Sequence, residues 1–270
     1  MKYIERMVDT PFGDEITEVV LSHPPLIRVI AQLRFPPVAS IANPDFIAPF
    51  QEKLRSDYPV LRRDQELGLI VGPDGVASQP TNAVVWRLND KQENWRFSFA
   101  ASFLALETTS YSNHTEFNDR FIVALEALSA LIHPAIYDRL GLRYINRVQG
   151  SDRMSRLPKL VRPELLGFIG VDIGKNASIA HSVLQTQFDV EGTGLLVRAM
   201  QLPRGTTIDP AIVPVPEPSW ILDFDAFTTK PQDFGVKEVA HELRRLAFRS
   251  YRLFRWSVTD EFIVECGGNL

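Results

Sequence analysis

Arginine recurs at every fourth position in the stretch "IYDRLGLRYINRV" (136–148), as Arg139, Arg143 and Arg147. Side chains alternate across a strand, so these three share a face with Tyr137, Gly141 and Ile145. Leu140, Leu142, Tyr144, Asn146 and Val148 take the other face, which is mostly apolar and reads as the core side. A guanidinium offers its donors in a planar fork that matches carboxylate or phosphate, so the row is equipped to hold anions. Two further expected strands carry the same chemistry. "LIRVIAQLRF" (26–35) sets Arg28, Gln32 and Arg34 opposite Ile27, Val29, Ala31, Leu33 and Phe35, and "ENWRFSFA" (93–100) sets Arg96 and Ser98 on its polar side.

The second half of the chain carries the opposite sign. Gln185, Gln187, Asp189 and Glu191 alternate down one face of "ASIAHSVLQTQFDVEG" (177–192), and Asp223 and Asp225 share a face of "SWILDFDAF" (219–227). Three readings stay open. The basic and acidic faces pair with each other or remain solvated. Alternatively, the arginine face takes the carboxylates of a protein partner or the phosphates of a nucleic acid. In the third reading, Asp189, Glu191, Asp223 and Asp225 converge on a hard divalent cation such as magnesium, which prefers oxygen ligands. A further basic row lies on an expected helix near 236–256, where Arg245, Arg249 and Arg252 share one face at steps of four and three. It is either a solvated face or a docking face for an acidic partner.

Other chemistry finds no support in the residue pattern. There is no G-x-S-x-G, no H-E-x-x-H and no paired C-x-x-C, and Cys266 has no histidine near it in sequence. "GFIGVDIGKNAS" (167–178) fails as a phosphate loop. Gly170 and Gly174 enclose three residues rather than four, and Asn176 stands where a magnesium-binding hydroxyl belongs. The histidines are scattered near expected element ends.

The elements that must position these side chains read as follows. Asn43-Pro44 caps a helix with Phe46, Ile47, Phe50 and Leu54 inward. "GPDG" (72–75) turns between short strands, and 83–90, 93–100 and 101–111 form an antiparallel meander. A long helix from about Thr115 to Ile132 carries Phe117, Phe121, Leu125, Leu128 and Leu131 inward and stops at His133-Pro134. Residues 203–218 hold five prolines and read as a loop. The late helix buries Val239, Leu243, Leu246 and Phe254, and a short helix starts at the cap Thr259. Each of Trp95 and Trp220 heads a strand that a long helix later covers. The expected fold is therefore α+β, antiparallel sheets covered by helices, in two similar halves. The expected divisions are a lead-in over 1–24, a first half over 25–148, a linker over 149–176 and a second half over 177–270.

Hydrophobic residues make up 45% of the 270 positions and charged residues 23%, which is the balance of a folded chain with a sizeable core. The formal net charge of −4 favours a protein partner over nucleic acid. A single cysteine allows no internal disulfide, the first residues lack a signal-peptide pattern, and no apolar run is long enough to span a bilayer. These features predict a cytoplasmic protein without a membrane partner.

"PPLIRVIAQLRF", "RLGLRYINRV" and "ILDFDAF" together resemble a sporadically distributed, largely uncharacterised bacterial family. Its members share this length, a proline-led first strand, a G-L-R-Y-x-N strand and a D-x-D strand. The resemblance spans nearly the whole chain and rests on Arg139, Gly141, Leu142, Arg143, Tyr144 and Asn146, with Asp223 and Asp225. It implies no established activity, and the scattered distribution implies stress, defence or toxin–antitoxin neighbourhoods. The expectation is thus a non-enzymatic binding or regulatory protein, without a cofactor, that recognises a protein partner through an arginine-rich sheet face. The alternative is a divalent-metal-dependent hydrolase or nuclease-like enzyme using magnesium at the acidic strands. Either reading leaves a homo-oligomer open.

Overall fold

The computed structural model describes residues 18–72, 75–190 and 192–269. Much of the expected lead-in, the centre of the Gly-Pro-Asp-Gly turn and Glu191 lie outside these residues. The fold is α+β. Nine antiparallel strands are hydrogen-bonded in the order β2 (Val60–Gly72), β3 (Gly75–Asn89), β4 (Trp95–Ala100), β5 (Phe103–Thr108), β1 (Leu26–Arg34), β7 (Arg139–Gln149), β10 (Ser219–Thr228), β9 (Thr193–Leu202) and β8 (Ser182–Val190), and a separate ribbon pairs β11 (Gln232–Asp233) with β6 (Ile136–Tyr137). The chain divides into two compact units, each drawing on separate stretches of sequence.

One unit comprises Arg28–Leu142 and Phe227–Arg244. Its strands are β1 (Leu26–Arg34), β2 (Val60–Gly72), β3 (Gly75–Asn89), β4 (Trp95–Ala100) and β5 (Phe103–Thr108). The expected meander is present, and its register aligns one apolar line across four strands. Leu88 pairs with Phe97, Phe97 with Leu106, and Leu106 with Ala31, all fully buried. A one-residue slip in any ladder would turn that line outward, so burial itself specifies the register.

Two helices cover the apolar face. α1 (Pro44–Leu54) starts where Asn43 Oδ1 accepts from Asp45 N at 3.0 Å, with Pro44 in the first turn. α2 (His114–Ile132) is capped by Asn113, whose Oδ1 accepts from Glu116 N at 2.9 Å. His133 ends it in the left-handed conformation (φ 42°), ahead of Pro134. Of the expected stripe, Phe117, Phe121, Leu125 and Leu128 are buried and Leu131 is half-buried. Aromatic rings join the layers: Phe50 stacks on Phe99 (centroids 4.5 Å apart), Tyr58 meets Phe97 edge-on (4.7 Å) and Trp95 lies 5.9 Å from Phe117.

The strand expected over 136–148 is in fact broken. β6 (Ile136–Tyr137) belongs to the small ribbon, where Tyr137 Oη donates to Gln232 Oε1 at 2.7 Å on β11 (Gln232–Asp233). The break falls at Asp138, whose amide donates to the Arg34 carbonyl at 2.7 Å. β7 then runs from Arg139 to Gln149.

The other unit comprises Arg143–Ala226, Arg245–Leu270 and the chain up to Ile27. It contains most of β7 with β10 (Ser219–Thr228), β9 (Thr193–Leu202) and β8 (Ser182–Val190). The long helix α5 (Val236–Ser257) ends in it and α6 (Asp260–Glu265) follows, capped by Thr259. Across 149–176 the chain forms α3 (Ser151–Ser155), α4 (Leu157–Leu160) and two 3-10 turns, Pro163–Leu165 and Gly167–Gly170. Leu157, Leu160, Leu165 and Leu166 of this stretch are buried. Arg156 bonds Asp152 within this stretch (2.9 Å) and ties it to α6 through Glu261 (3.0 Å) and Glu265. No helix among the described residues is long and apolar enough to cross a membrane.

Candidate functional site

Alternation along β7 places Arg143, Ile145 and Arg147 on one face. That face is not open in the Arg143–Ala226 unit. The proline-bearing segment 203–218 returns across it, and Ile145 packs with Met200, Leu202, Ile212 and Ile221 into a second apolar cluster. Arg143 therefore sits between the sheet and a loop. Its Nε donates to Asp223 Oδ1 at 2.8 Å and its Nη2 to Asp223 Oδ2 at 2.7 Å, while Nη2 also reaches Asp209 Oδ2 at 2.7 Å. Arg198 on β9 adds a bond from Nη1 to Asp223 Oδ2 at 3.0 Å and another from Nε to Gln185 Oε1 at 3.0 Å. Two guanidiniums and two carboxylates close a neutral network.

The electrostatics follow from that closure. Burial alone would lower the Arg143 pKa, but the hydrogen bonds and charge of Asp223, then of Asp209, hold it above the ordinary arginine range. Burial alone would raise Asp209. The charge and hydrogen bond of Arg143 override it, helped by the Ala211 amide that donates to Asp209 Oδ1 at 2.8 Å, and the carboxyl falls below its usual range. Arg147 pins the same loop further along, its Nη2 donating to the Val213 carbonyl at 2.5 Å. Burial lowers the Arg147 pKa.

Arg139 behaves differently because of Gly141. Its guanidinium lies 4.4 Å from the centre of the Phe227 ring and folds over Gly141. A Cβ on Gly141 would sit 2.3 Å from Arg139 Nη1, so this glycine serves a close side-chain approach. On the opposite face of β7, Asn146 is buried and its Nδ2 donates to the Leu222 carbonyl at 3.1 Å, while Tyr144 is half-buried.

The expected basic docking row on α5 is corrected by burial. Arg249 is 5% and Arg252 6% exposed, and Arg245, the least covered of the three, is half-buried. Arg249 Nη1 donates to the Val190 carbonyl at the end of β8 (3.3 Å), and Arg252 lies over the Phe248 ring at 5.2 Å. Long arginine stems can bury their methylenes while the head finds a carbonyl or a ring, which the helical spacing alone does not reveal.

Among the described residues the acidic side chains do not gather, and Glu191 lies outside them. Both oxygens of the fully buried Asp223 accept from arginine. Asp189 is exposed and pairs with Gly194, four residues along β8 from the Gln185 that meets Arg198, roughly 13 Å at the rise of a strand. Asp225 is half-buried, two residues beyond Asp223. Among the described residues no three His, Cys, Asp or Glu side chains are placed to hold a metal ion.

The Arg28–Leu142 unit presents the second arginine face. With α1 and α2 on the side of Trp95, Phe97 and Phe99, residues of opposite parity turn the other way. Arg28 and Arg96 converge there on one oxygen of Glu107: Arg28 Nη1 lies 3.1 Å from Oε1, and Arg96 Nη2 bonds the same atom. The Arg96 Nε is buried with no hydrogen-bond partner. On the neighbouring strand Arg87 Nε donates to Asp64 Oδ2 at 2.6 Å and its Nη1 to Ser98 Oγ at 3.2 Å. Arg34 is exposed at the end of the same face. Arg28, Arg34, Arg87 and Arg96 bring four positive charges, and the carboxylates bonded to them, Glu107 and Asp64, return two. Ser98, Ala100 and Ala105 lie low among these stems and are buried.

A shallow cleft in the same unit runs from Leu54 and Tyr58 to Glu116 and Arg120. Arg120 closes it, bonding Glu116 through Nε and Nη2 (3.1 and 2.8 Å) and the Tyr58 hydroxyl through Nη1 (3.2 Å), with its carbon 4.4 Å from the Trp95 ring centre. These are structural contacts that clamp α2 to the turn after α1.

The residue pattern singles out Arg143 and Asp223 and leaves their pairing open, but it does not single out the other partners. Glu107, Asp64, Asp209 and Arg198 each stand alone in an ordinary context, and only the strand order and the path of 203–218 assign them. No family model matches the chain, and no curated protein or solved structure matches it.

Proposed function

We propose that this protein is a non-catalytic binding protein that takes acidic side chains of a protein partner on the sheet face of the Arg28–Leu142 unit. One observation carries the reading: Arg28 and Arg96 share a single oxygen of Glu107, and the Arg96 side chain is still 31% exposed. A carboxylate can accept several strong hydrogen bonds, and two guanidiniums on one oxygen leave donors and a positive charge unspent. An incoming carboxylate would complete that set. Arg34 and Arg87 extend the positive field along the strands and favour an acidic segment over a single acid. The net charge of −4 across the chain supports a local, protein-directed patch over a general affinity for nucleic acid. The likeness of its strands to the scattered bacterial family supports a regulatory role in a stress or defence module.

The sequence row Arg139, Arg143 and Arg147 is not the binding face in this reading, because Arg143 and Arg147 hold the 203–218 loop. The test is a titration of the full chain with a fluorescent oligoglutamate peptide and, separately, an oligonucleotide of equal charge. Wild type should bind the peptide in a salt-sensitive manner, and Arg96→Glu, folded by circular dichroism, should weaken it at least tenfold. Equal binding by wild type and Arg96→Glu would remove the reading. Preference for the oligonucleotide would replace the partner class.

A further inference from the structure

We infer that the protein self-associates through β8, pairing that strand antiparallel with β8 of a second copy about a twofold axis at Thr186. Among the described residues β8 is the terminal strand of the sheet, with β9 as its one hydrogen-bonded neighbour. Val190 pairs with Thr193 across a two-residue connection, and the Val190 carbonyl also accepts from Thr193 Oγ1 at 2.6 Å, so it faces β9. Backbone groups alternate in direction along an antiparallel strand. Residues 182, 184, 186, 188 and 190 therefore spend their amides and carbonyls on β9, and those of Val183, Gln185, Gln187 and Asp189 point outward.

The centre of this edge can pair with itself. With Thr186 opposite Thr186, Gln185 faces Gln187, Leu184 faces Phe188 and Val183 faces Asp189. The outward groups at 183, 185, 187 and 189 then meet one another in hydrogen-bonded pairs, so every outward donor and acceptor of the strand finds a partner. Leu184 and Phe188, half-buried beside Leu195 and Ala199 of β9, would complete their burial against the same residues of the copy. No like charges stand opposite each other. The edge also lacks the usual protections, since it has no proline and no lysine, and its one charged residue is near an end.

A second observation points to the same edge. The 3-10 turn Gly167–Gly170 sits beside β8, where a Cβ on Gly167 would lie 3.8 Å from Leu184 Cδ1. The turn exposes Phe168 (73%), the segment leading from it exposes Val171 (54%) and Ile173 (39%), and Val183 on β8 is 47% exposed. Such apolar surface flanking an unpaired strand supplies the area that strand pairing alone lacks in a stable dimer. This assembly is independent of the Arg28–Arg96 face.

The test is sedimentation of the purified full chain at about 1–100 µM, a range that spans ordinary homodimer affinities. Wild type should sediment as a dimer. Gln187→Pro should be monomeric yet folded, because it removes an outward amide and leaves the ladder to β9 whole. Thr186→Lys and Thr186→Glu, each placing like charges on the axis, should both be monomeric alone and form a mixed dimer when combined. A monomeric wild type would overturn the inference. So would a dimer that survives Gln187→Pro, or a lysine–glutamate mixture that stays monomeric while wild type pairs.

Discussion

Arg143 grips Asp223 with both prongs of its guanidinium, at 2.8 and 2.7 Å, and reaches Asp209 in the 203–218 loop with the same Nη2. Asp223 has no exposed surface, and the Arg143 side chain is 17% exposed. The pair thus works as a rivet between β7, β10 and the loop that crosses them. A surface ion pair is worth little, whereas breaking a buried one strands a charge in low dielectric.

Arg143→Met should destabilise the protein by roughly 3 kcal/mol, because Asp223 then keeps only Arg198. The double variant Arg143→Met with Asp223→Leu should lose less than the single, since the fully buried carboxylate is then gone and the charges that remain, Asp209 and Arg198, are both partly exposed. Urea denaturation of the set measures both. A double variant less stable than Arg143→Met would show that the pair contributes net stability beyond the cost of stranding its partner.

Acid should loosen the same loop. Asp209 has a folded-state pKa below its ordinary value of 3.8, so its stabilisation is complete above about 3.8 and fades as pH falls through the lower folded value. The stability gap between wild type and Asp209→Asn should therefore be constant from pH 7 to about pH 5 and shrink below about pH 4. Denaturation midpoints of both proteins across that range decide it.

Gly141→Ala should cost only about 1 kcal/mol, because the group it strikes is the flexible end of Arg139. The guanidinium must leave the Phe227 ring to make room. In an Arg139→Ala background the same glycine change should be close to neutral. A double-mutant cycle showing no such coupling would place the role of Gly141 in the backbone instead.

Two of the buried tryptophans, Trp86 and Trp220, should differ. Trp86 Nε1 donates to the Ile41 carbonyl at 2.7 Å, whereas Trp220 Nε1 is buried with no hydrogen-bond partner. Both Trp→Phe changes shrink a packed ring, but only Trp86→Phe strands a carbonyl, at about 1–3 kcal/mol. Trp86→Phe should accordingly lower the thermal midpoint more than Trp220→Phe.

The local pattern was legible along most of the chain. Period-two alternation marked β1, β4, β9 and β10, and the caps Asn43 and Thr259 marked helix starts because a short polar side chain there satisfies amides that no carbonyl reaches. The alternation runs through Asp138 and predicts one continuous strand over 136–148. Only the arrival of the Arg34 carbonyl at the Asp138 amide turns the chain there.

What the sequence determined by itself was which residues share a face, because strand and helix periods are local properties of the backbone. It could not say what lies across from that face. Arg143 and Arg28 look alike along the chain, yet one is sealed under a loop of five prolines and the other shares a carboxylate on the sheet of its own unit. Partners such as Asp209 and Glu107 come from 66 and 79 residues away, brought in by loop path and strand order. The tertiary structure alone decided which arginines hold the fold and which keep charge to spare, because desolvation and pairing depend on neighbours distant in sequence.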